Sequence, residues 1–129
     1  MMERIEEELR LLRREHPDLE YRQDGCWIWL PRFCLPPGIW NREEIQVCFQ
    51  IPSGYPGQSP YGFYVPDGLV VKATNQAPIN YGPAATPFSG SWCRFSWQQD
   101  NWRATADLRS GSNLLNFVRT FMDRLKEGA

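Results

Sequence analysis

The sequence contains very little histidine and no paired metal-binding motif. His16 is the single histidine among 129 residues, and four cysteines occur without a C-x-x-C pair, as Cys26, Cys34, Cys48 and Cys93. A structural zinc site needs four clustered Cys or His ligands, so we expect neither a metal nor a cofactor. No G-x-S-x-G elbow and no glycine-rich phosphate loop occur, which disfavours a serine hydrolase and a nucleotide-binding protein.

The chain also has little net charge and no long apolar run. Its 14 basic and 15 acidic residues leave a formal net charge of -1, unlike the positive footprint of proteins that bind nucleic acid or anionic membranes. No apolar run approaches the roughly 18 residues of a membrane span. The charged N-terminal segment, MMERIEEELRLLRREH, does not resemble a secretory signal. We therefore expect a cytoplasmic protein with reduced cysteines that binds neither nucleic acid nor membranes.

Two amphipathic helices are predicted at the two ends of one domain covering residues 1–129. Apolar residues at i, i+4 and i+7 predict a helix over Arg4–Glu15, which Pro17 ends. A similar stripe predicts a C-terminal helix over Ser112–Leu125, with Ser110 or Ser112 as its N-cap. Each helix then has one apolar face to pack against a sheet.

Four segments between the helices have strand character. Short connectors rich in Gly, Pro, Asp and Ser favour an antiparallel meander. In the third segment Cys48 alternates with the apolar residues and points to the opposite face. Residues 67–90 lose all periodicity and are predicted as a long functional loop, which gives an α+β fold with segregated helices. The four predicted strands are Leu19–Arg22, Cys26–Leu30, Ile45–Ile51 and Gly62–Val65.

A proline-rich loop follows the third predicted strand, with the sequence IPSGYPGQSP over residues 51–60. Proline fixes φ and donates no amide, so this loop is rigid and ends strand pairing. Tyr55–Pro56 and Ser59–Pro60 are both candidates for a cis bond. The segment resembles the Y-P-x-x-P motif of ubiquitin-conjugating enzymes and of the superfamily that shares their fold.

A second match to this superfamily lies downstream. Ser89–Cys93 is similar to the Gly-x-Ile-Cys segment that carries the thioester cysteine, and Trp102 follows nine residues later, like the family's Trp-Ser-Pro motif. With the two helices and four strands, the resemblance covers nearly the whole chain. The W-x-R-[WF]-S run that begins at Trp92 most resembles the compact prokaryotic family labelled E.

The resemblance implies a chemistry for Cys93, which is expected to end the long, exposed loop. This cysteine would accept a ubiquitin-like protein as a thioester from an activating enzyme and pass it to an amine. The family's His-Pro-Asn motif, whose asparagine supplies an amide donor, is missing, and Asn75 or Asn80 would have to replace it. Apart from the resemblance, Asp100 is a candidate residue to orient or deprotonate the incoming lysine.

The resemblance also implies partners. In such enzymes the first helix docks on the activating enzyme, so Arg10, Arg13 and Arg14 are candidates for an electrostatic contact. Tyr55 and Pro56 of the proline-rich loop are further candidates for partner binding. The expected partners are a ubiquitin-like protein, an activating enzyme and a deubiquitinase-like peptidase.

A second function stays open at this point: a non-catalytic variant of the same fold that acts as an adaptor or scaffold in a ubiquitin-like conjugation system. The remaining cysteines, Cys26, Cys34 and Cys48, are expected to be packing residues. Trp102 is expected to be a packing anchor beneath the active-site loop rather than a reactant.

Overall fold

The computed structural model describes residues 2–129, apart from the side chain of Met2. Six strands form one antiparallel sheet in the order β1-β2-β3-β4-β6-β5. The α+β class, the two helices and the meander of the first four strands are confirmed. Neither helix in the described part has the length and apolar character to cross a membrane. The elements are α1 (Met2–Glu15), β1 (Glu20–Arg22), β2 (Trp27–Cys34), β3 (Glu44–Gln50), β4 (Tyr61–Pro66), β5 (Tyr81–Ala84), β6 (Trp92–Gln98) and α2 (Leu114–Glu127).

The sheet has two strands more than the four that were predicted. β5 lies inside the segment predicted as a loop, at the edge of the sheet where Pro83 is tolerated because it owes no ladder hydrogen bond. β6 pairs with both β4 and β5. Its sequence shows no alternation because Trp92 is buried on one face of the sheet and Phe95 on the other. The prediction of four strands is therefore corrected to six.

The main core lies between one face of the sheet and the two helices. Phe121 of α2 is fully buried at its centre. Its ring stacks on Phe63 with 4.2 Å between centroids and also meets Phe49 and Phe117 at 5.7 and 5.0 Å. Offset and edge-on aromatic pairs of this kind add to the stabilisation from area burial alone. The apolar stripes read from the sequence thus face the sheet as predicted.

The start of α2 differs from the prediction. Asn113, in an extended conformation, is the N-cap, and it forms a capping box with Asn116. The predicted caps were Ser110 and Ser112. Their hydroxyls are used in the preceding turn instead: Ser110 donates to the carbonyl of Asp107, and Ser112 accepts from the amide of Arg103.

The other face of the sheet carries a second aromatic cluster. Phe88, from the connection between β5 and β6, packs over it with its ring 6.0 Å from that of Trp29 and 6.2 Å from that of Trp92. Cys48 is fully buried here, on the face that its place in the β3 alternation predicts. The members are Trp27, Trp29, Cys48, Tyr64, Phe88 and Trp92.

Candidate functional site

Cys93 lies within the sheet rather than in an exposed loop. It is the second residue of β6, paired with Val65 of β4 on one side and with Pro83 of β5 on the other. Only 4% of the residue is exposed. The expectation that Cys93 ends an exposed loop is therefore corrected, because the unpredicted edge strand β5 covers this side of β6.

Two polar side chains flank the thiol of Cys93. Asp67 directly follows β4 and is tied to the start of β6 by its amide, which donates to the carbonyl of Ser91. The Cys93 Sγ donates to Asp67 Oδ1 over 3.7 Å. Tyr81 of β5 lies on the other side, and its buried hydroxyl has no well-formed hydrogen bond within the described residues. A thiol, a carboxylate and a phenol thus meet at one end of the sheet.

The flanking groups act on the thiol in opposite directions. Burial raises the pKa of Cys93, and the negative charge of Asp67 raises it further, whereas the proximity of the Tyr81 hydroxyl, a hydrogen-bond donor, lowers the pKa. The pKa of Tyr81 is itself raised, mainly by burial, so its hydroxyl keeps its proton and remains a donor. At neutral pH the resting site therefore holds a protonated thiol beside a carboxylate that is exposed to solvent.

The structure does not bring the other predicted catalytic residues to this thiol. Asn80 is exposed, and its carbonyl accepts from the amide of Ser96, three residues along the strand from Cys93 and therefore about 10 Å away. Asp100 follows Gln98, which ends β6 about 16 Å from Cys93. Residues near Cys93 in the sequence are not near it in space, because β6 is extended and its two ends lie far apart.

Asp67 and Tyr81 were missed by the sequence reasoning. Asp67 carries a weak signal, since it follows the last predicted strand directly and precedes the turn residue Gly68. Tyr81 carries none, because it lies in a segment with no periodicity. Its role depends on the pairing of β5 with β6.

The other three cysteines differ in burial, and all four are free thiols. Cys48 is fully buried, as predicted, and burial raises its pKa to about 12. Cys26 is half-buried, but Cys34 is exposed, which corrects the prediction that it packs. Phe33 takes the core face at the end of β2, so Cys34 faces outward. Within residues 2–129 no three His, Cys, Asp or Glu side chains gather closely enough to hold a metal ion.

The proline-rich loop is anchored inward. Tyr55, predicted to bind a partner, is 1% exposed, and its hydroxyl donates to Glu8 of α1 over 2.5 Å. Trp102 packs on the Tyr55 ring and donates to the carbonyl of Pro56 over 2.7 Å, so it anchors this loop. The bond Tyr55–Pro56 is cis, as one of the two predictions had it. Of the two loop residues named as partner contacts, Pro56 keeps partial exposure and Tyr55 does not.

The arginines of α1 lie on the surface. Arg10, Arg13 and Arg14 are all exposed. Arg10 and Arg14 line a groove of about 360 Å³ between α1 and the turn before α2, where Arg109 joins them. The three guanidinium groups outnumber the two acidic side chains that also line the groove, so the groove has a small excess of positive charge. The remaining lining residues are Glu7, Leu11, Ala106, Asp107 and Leu108.

Comparison with protein families identifies the family of this chain. Residues 5–124 match the model of prokaryotic E2 family E. The matched range includes all six strands and most of both helices. No curated protein and no solved structure matches the chain at a significant level.

Proposed function

Because the chain belongs to prokaryotic E2 family E, it is a conjugating-enzyme-like protein, and we propose that Cys93 carries a ubiquitin-like protein as a thioester. The family implies interaction with ubiquitin-like proteins and with activating enzymes. The observation that supports Cys93 is its contact with the Asp67 carboxylate beside the Tyr81 hydroxyl. A deubiquitinase-like peptidase is a further proposed partner, since such an enzyme would reverse the linkage formed.

The proposed reaction has two acyl-transfer steps. First, the Cys93 sulfur attacks the carbonyl carbon of a thioester on the activating enzyme. A carbon–sulfur bond forms at Cys93, the bond to the activating enzyme breaks, and the thiol proton goes to the departing thiolate. An amine then attacks the new thioester. A carbon–nitrogen bond forms, the bond to Cys93 breaks, and one amine proton passes to the Cys93 sulfur.

Asp67 suits the second step of this scheme. Its carboxylate is exposed on one side and contacts the Cys93 thiol on the other. A negative charge at that place attracts the ammonium group of a lysine to the thioester. This group then releases a proton to solvent and attacks as the neutral amine. The same charge disfavours the free thiolate, so we expect the attack on the activating-enzyme thioester to speed up as the pH rises.

Removal of the Cys93 sulfur tests the proposal directly. With its cognate activating enzyme, ATP and the ubiquitin-like partner, the wild-type protein is expected to form an adduct that thiols cleave. Cys93→Ser should lose this thiol-sensitive adduct completely, because any ester formed on the serine oxygen is not cleaved by thiols. The readout is a gel shift with and without reductant.

The matched control is Cys34→Ser, since Cys34 is the exposed cysteine. This variant should form the adduct at the wild-type level. A thiol-sensitive adduct that persists in Cys93→Ser and disappears in Cys34→Ser would contradict the proposal.

Burial of Cys93 favours a second candidate function. A thiol with a raised pKa in a residue that is only 4% exposed is a weak nucleophile in the resting protein. A non-catalytic variant of the fold would act as an adaptor or scaffold and would need no reactive thiol. That function predicts that no adduct forms even when the activating enzyme already carries the ubiquitin-like protein as a thioester. It also predicts that partner binding is unchanged in Cys93→Ser.

We further propose that the arginines of α1 contact the activating enzyme. The double variant Arg10→Glu/Arg14→Glu is expected to slow association roughly tenfold at low salt, because it replaces attraction by repulsion. Salt should have a smaller effect on this variant than on the wild type. Stopped-flow association measured at two ionic strengths gives both quantities.

The control for this surface is Lys126→Glu, an exposed charge reversal in the last turn of α2. It changes the net charge in the same direction without touching α1. If each reversed charge slowed association equally in both variants, the effect would come from the net charge of the protein alone. That result would contradict α1 as the docking element.

A further inference from the structure

Tyr81 has a buried hydroxyl that the fold does not use. The residue is partly buried, its oxygen is shielded from solvent, and no group within the described residues accepts its proton in good geometry. Nearly all buried polar side-chain atoms have a partner, so an exception calls for a physical explanation. The nearest reactive group is the thiol of Cys93.

The pairing of β5 with β6 determines where this hydroxyl points. Tyr81 is paired with Phe95, and their rings lie 4.9 Å apart on the helix-facing side of the sheet. Cys93 is two residues from Phe95 and so has its side chain on that same side. A diagonal neighbour across an antiparallel pair is within reach of an aromatic side chain. The Tyr81 hydroxyl therefore approaches Cys93 from a backbone position that the ladder defines.

Arg124 of α2 holds the start of β5 in place. The residue is 3% exposed, and its guanidinium donates to the carbonyl of Ile79 over 2.8 Å. The same group lies 4.9 Å from the centre of the Phe95 ring, beneath the residue paired with Tyr81. Both contacts restrict the position of Tyr81, so its hydroxyl is pre-organised rather than free to turn away.

We propose that the Tyr81 hydroxyl is a catalytic donor that stabilises negative charge at the Cys93 reaction centre, first on the sulfur and then on the oxygen of the tetrahedral intermediate. The second part of this statement rests on the proposed thioester function. Tyr81 gives up no proton; it donates a hydrogen bond while the bonds at carbon form and break. A donor placed in advance where charge develops is worth roughly 10²–10³ in rate.

Asp67 is a useful comparison because its effect on the Cys93 thiolate is opposite to that of Tyr81. Its carboxylate accepts a hydrogen bond from the Cys93 thiol and repels the thiolate, whereas the Tyr81 hydroxyl favours the thiolate. Asp67→Asn and Tyr81→Phe are both nearly isosteric. Their effects on the thiol therefore report charge and hydrogen bonding rather than a change of access.

The first experiment measures the reactivity of Cys93 in the free protein. Iodoacetamide alkylation of the peptide that contains Cys93 is followed by mass spectrometry from pH 7 to pH 10, roughly the range in which thiols titrate. We expect Tyr81→Phe to react at least about threefold more slowly than wild type at pH 8, and Asp67→Asn at least about threefold faster, with the profiles displaced along the pH axis. An unchanged profile in Tyr81→Phe would overturn the proposal.

The second experiment measures single-turnover thioester formation on Cys93 from an activating enzyme that carries the ubiquitin-like protein as a thioester. Tyr81→Phe should lower the rate roughly 10²-fold at saturation and leave the half-saturating enzyme concentration unchanged. Tyr61→Phe, which removes an exposed hydroxyl at the start of β4, is the control and should match wild type. A wild-type rate in Tyr81→Phe overturns the role of Tyr81. A wild-type protein that never forms the thioester overturns the proposed function instead, and the alkylation result then decides the role of Tyr81 at the sulfur.

Discussion

Glu8→Ala is expected to lower the free energy of unfolding by about 3–5 kcal/mol. Glu8 is 1% exposed, and one oxygen of its carboxylate accepts from the Tyr55 hydroxyl over 2.5 Å and from the Leu114 amide over 2.6 Å. The other oxygen accepts from Arg4 over 2.9 Å. Alanine would leave three donors without their acceptor, two of them in buried positions.

The effect should be large because Glu8 joins three parts of the fold. It connects α1, the proline-rich loop through Tyr55, and the first residue of α2 through Leu114. The carboxylate also lies at the N-terminal end of α2, where the helix dipole favours negative charge. Loss of Glu8 therefore loosens the loop and the helix start together.

Urea unfolding followed by circular dichroism measures this change. Glu8→Gln keeps one acceptor oxygen and should lose about half as much stability. Glu6→Ala replaces an exposed glutamate of the same helix and should stay within about 0.5 kcal/mol of wild type. A Glu8→Ala protein as stable as Glu6→Ala would show that the buried carboxylate contributes nothing net.

Phe121→Ala is expected to cost about 3–5 kcal/mol. The side chain is fully buried in the main core. Its ring contacts Phe63 at 4.2 Å between centroids, Phe117 at 5.0 Å and Phe49 at 5.7 Å. These rings come from β4, α2 and β3, so they cannot all move to fill the space that alanine leaves.

The same unfolding assay tests this second prediction. Phe121→Leu leaves a smaller void and should cost about 1–2 kcal/mol. Ile79→Ala is the matched control, because Ile79 is 67% exposed and its truncation removes an apolar group without a cavity. If Phe121→Ala were no more costly than Ile79→Ala, Phe121 would not be part of a close-packed core.

The helices and the first four strands could be predicted because their signals are local. The apolar stripe that begins at Ile5, and the alternation around Cys48, depend on a single element burying one face. β5 and β6 could not be predicted in this way. Pro83 is tolerated because β5 is an edge strand, and Trp92 and Phe95 are buried on opposite faces of β6.

The residues of the candidate site also divide into one that could be predicted from the sequence and others that could not. Cys93 could be selected from its motif and its distance to Trp102. The groups around its thiol could not, because Asp67 lies 26 residues before Cys93 in the chain and Tyr81 lies on the unpredicted strand. Tyr55 shows the reverse error, since a motif residue that suggested a surface contact is in fact buried against Glu8.

By itself the sequence determined the α+β class, the two helices, the four-strand meander and the resemblance to the conjugating-enzyme superfamily, because periodicity and motif spacing are properties of the chain alone. The tertiary structure decided which side chains meet. Pairing of β6 with β4 and β5 buries Cys93 and places Asp67 and Tyr81 at its thiol. Hydrogen-bond ladders join residues that are distant in sequence, and only the folded sheet specifies their register.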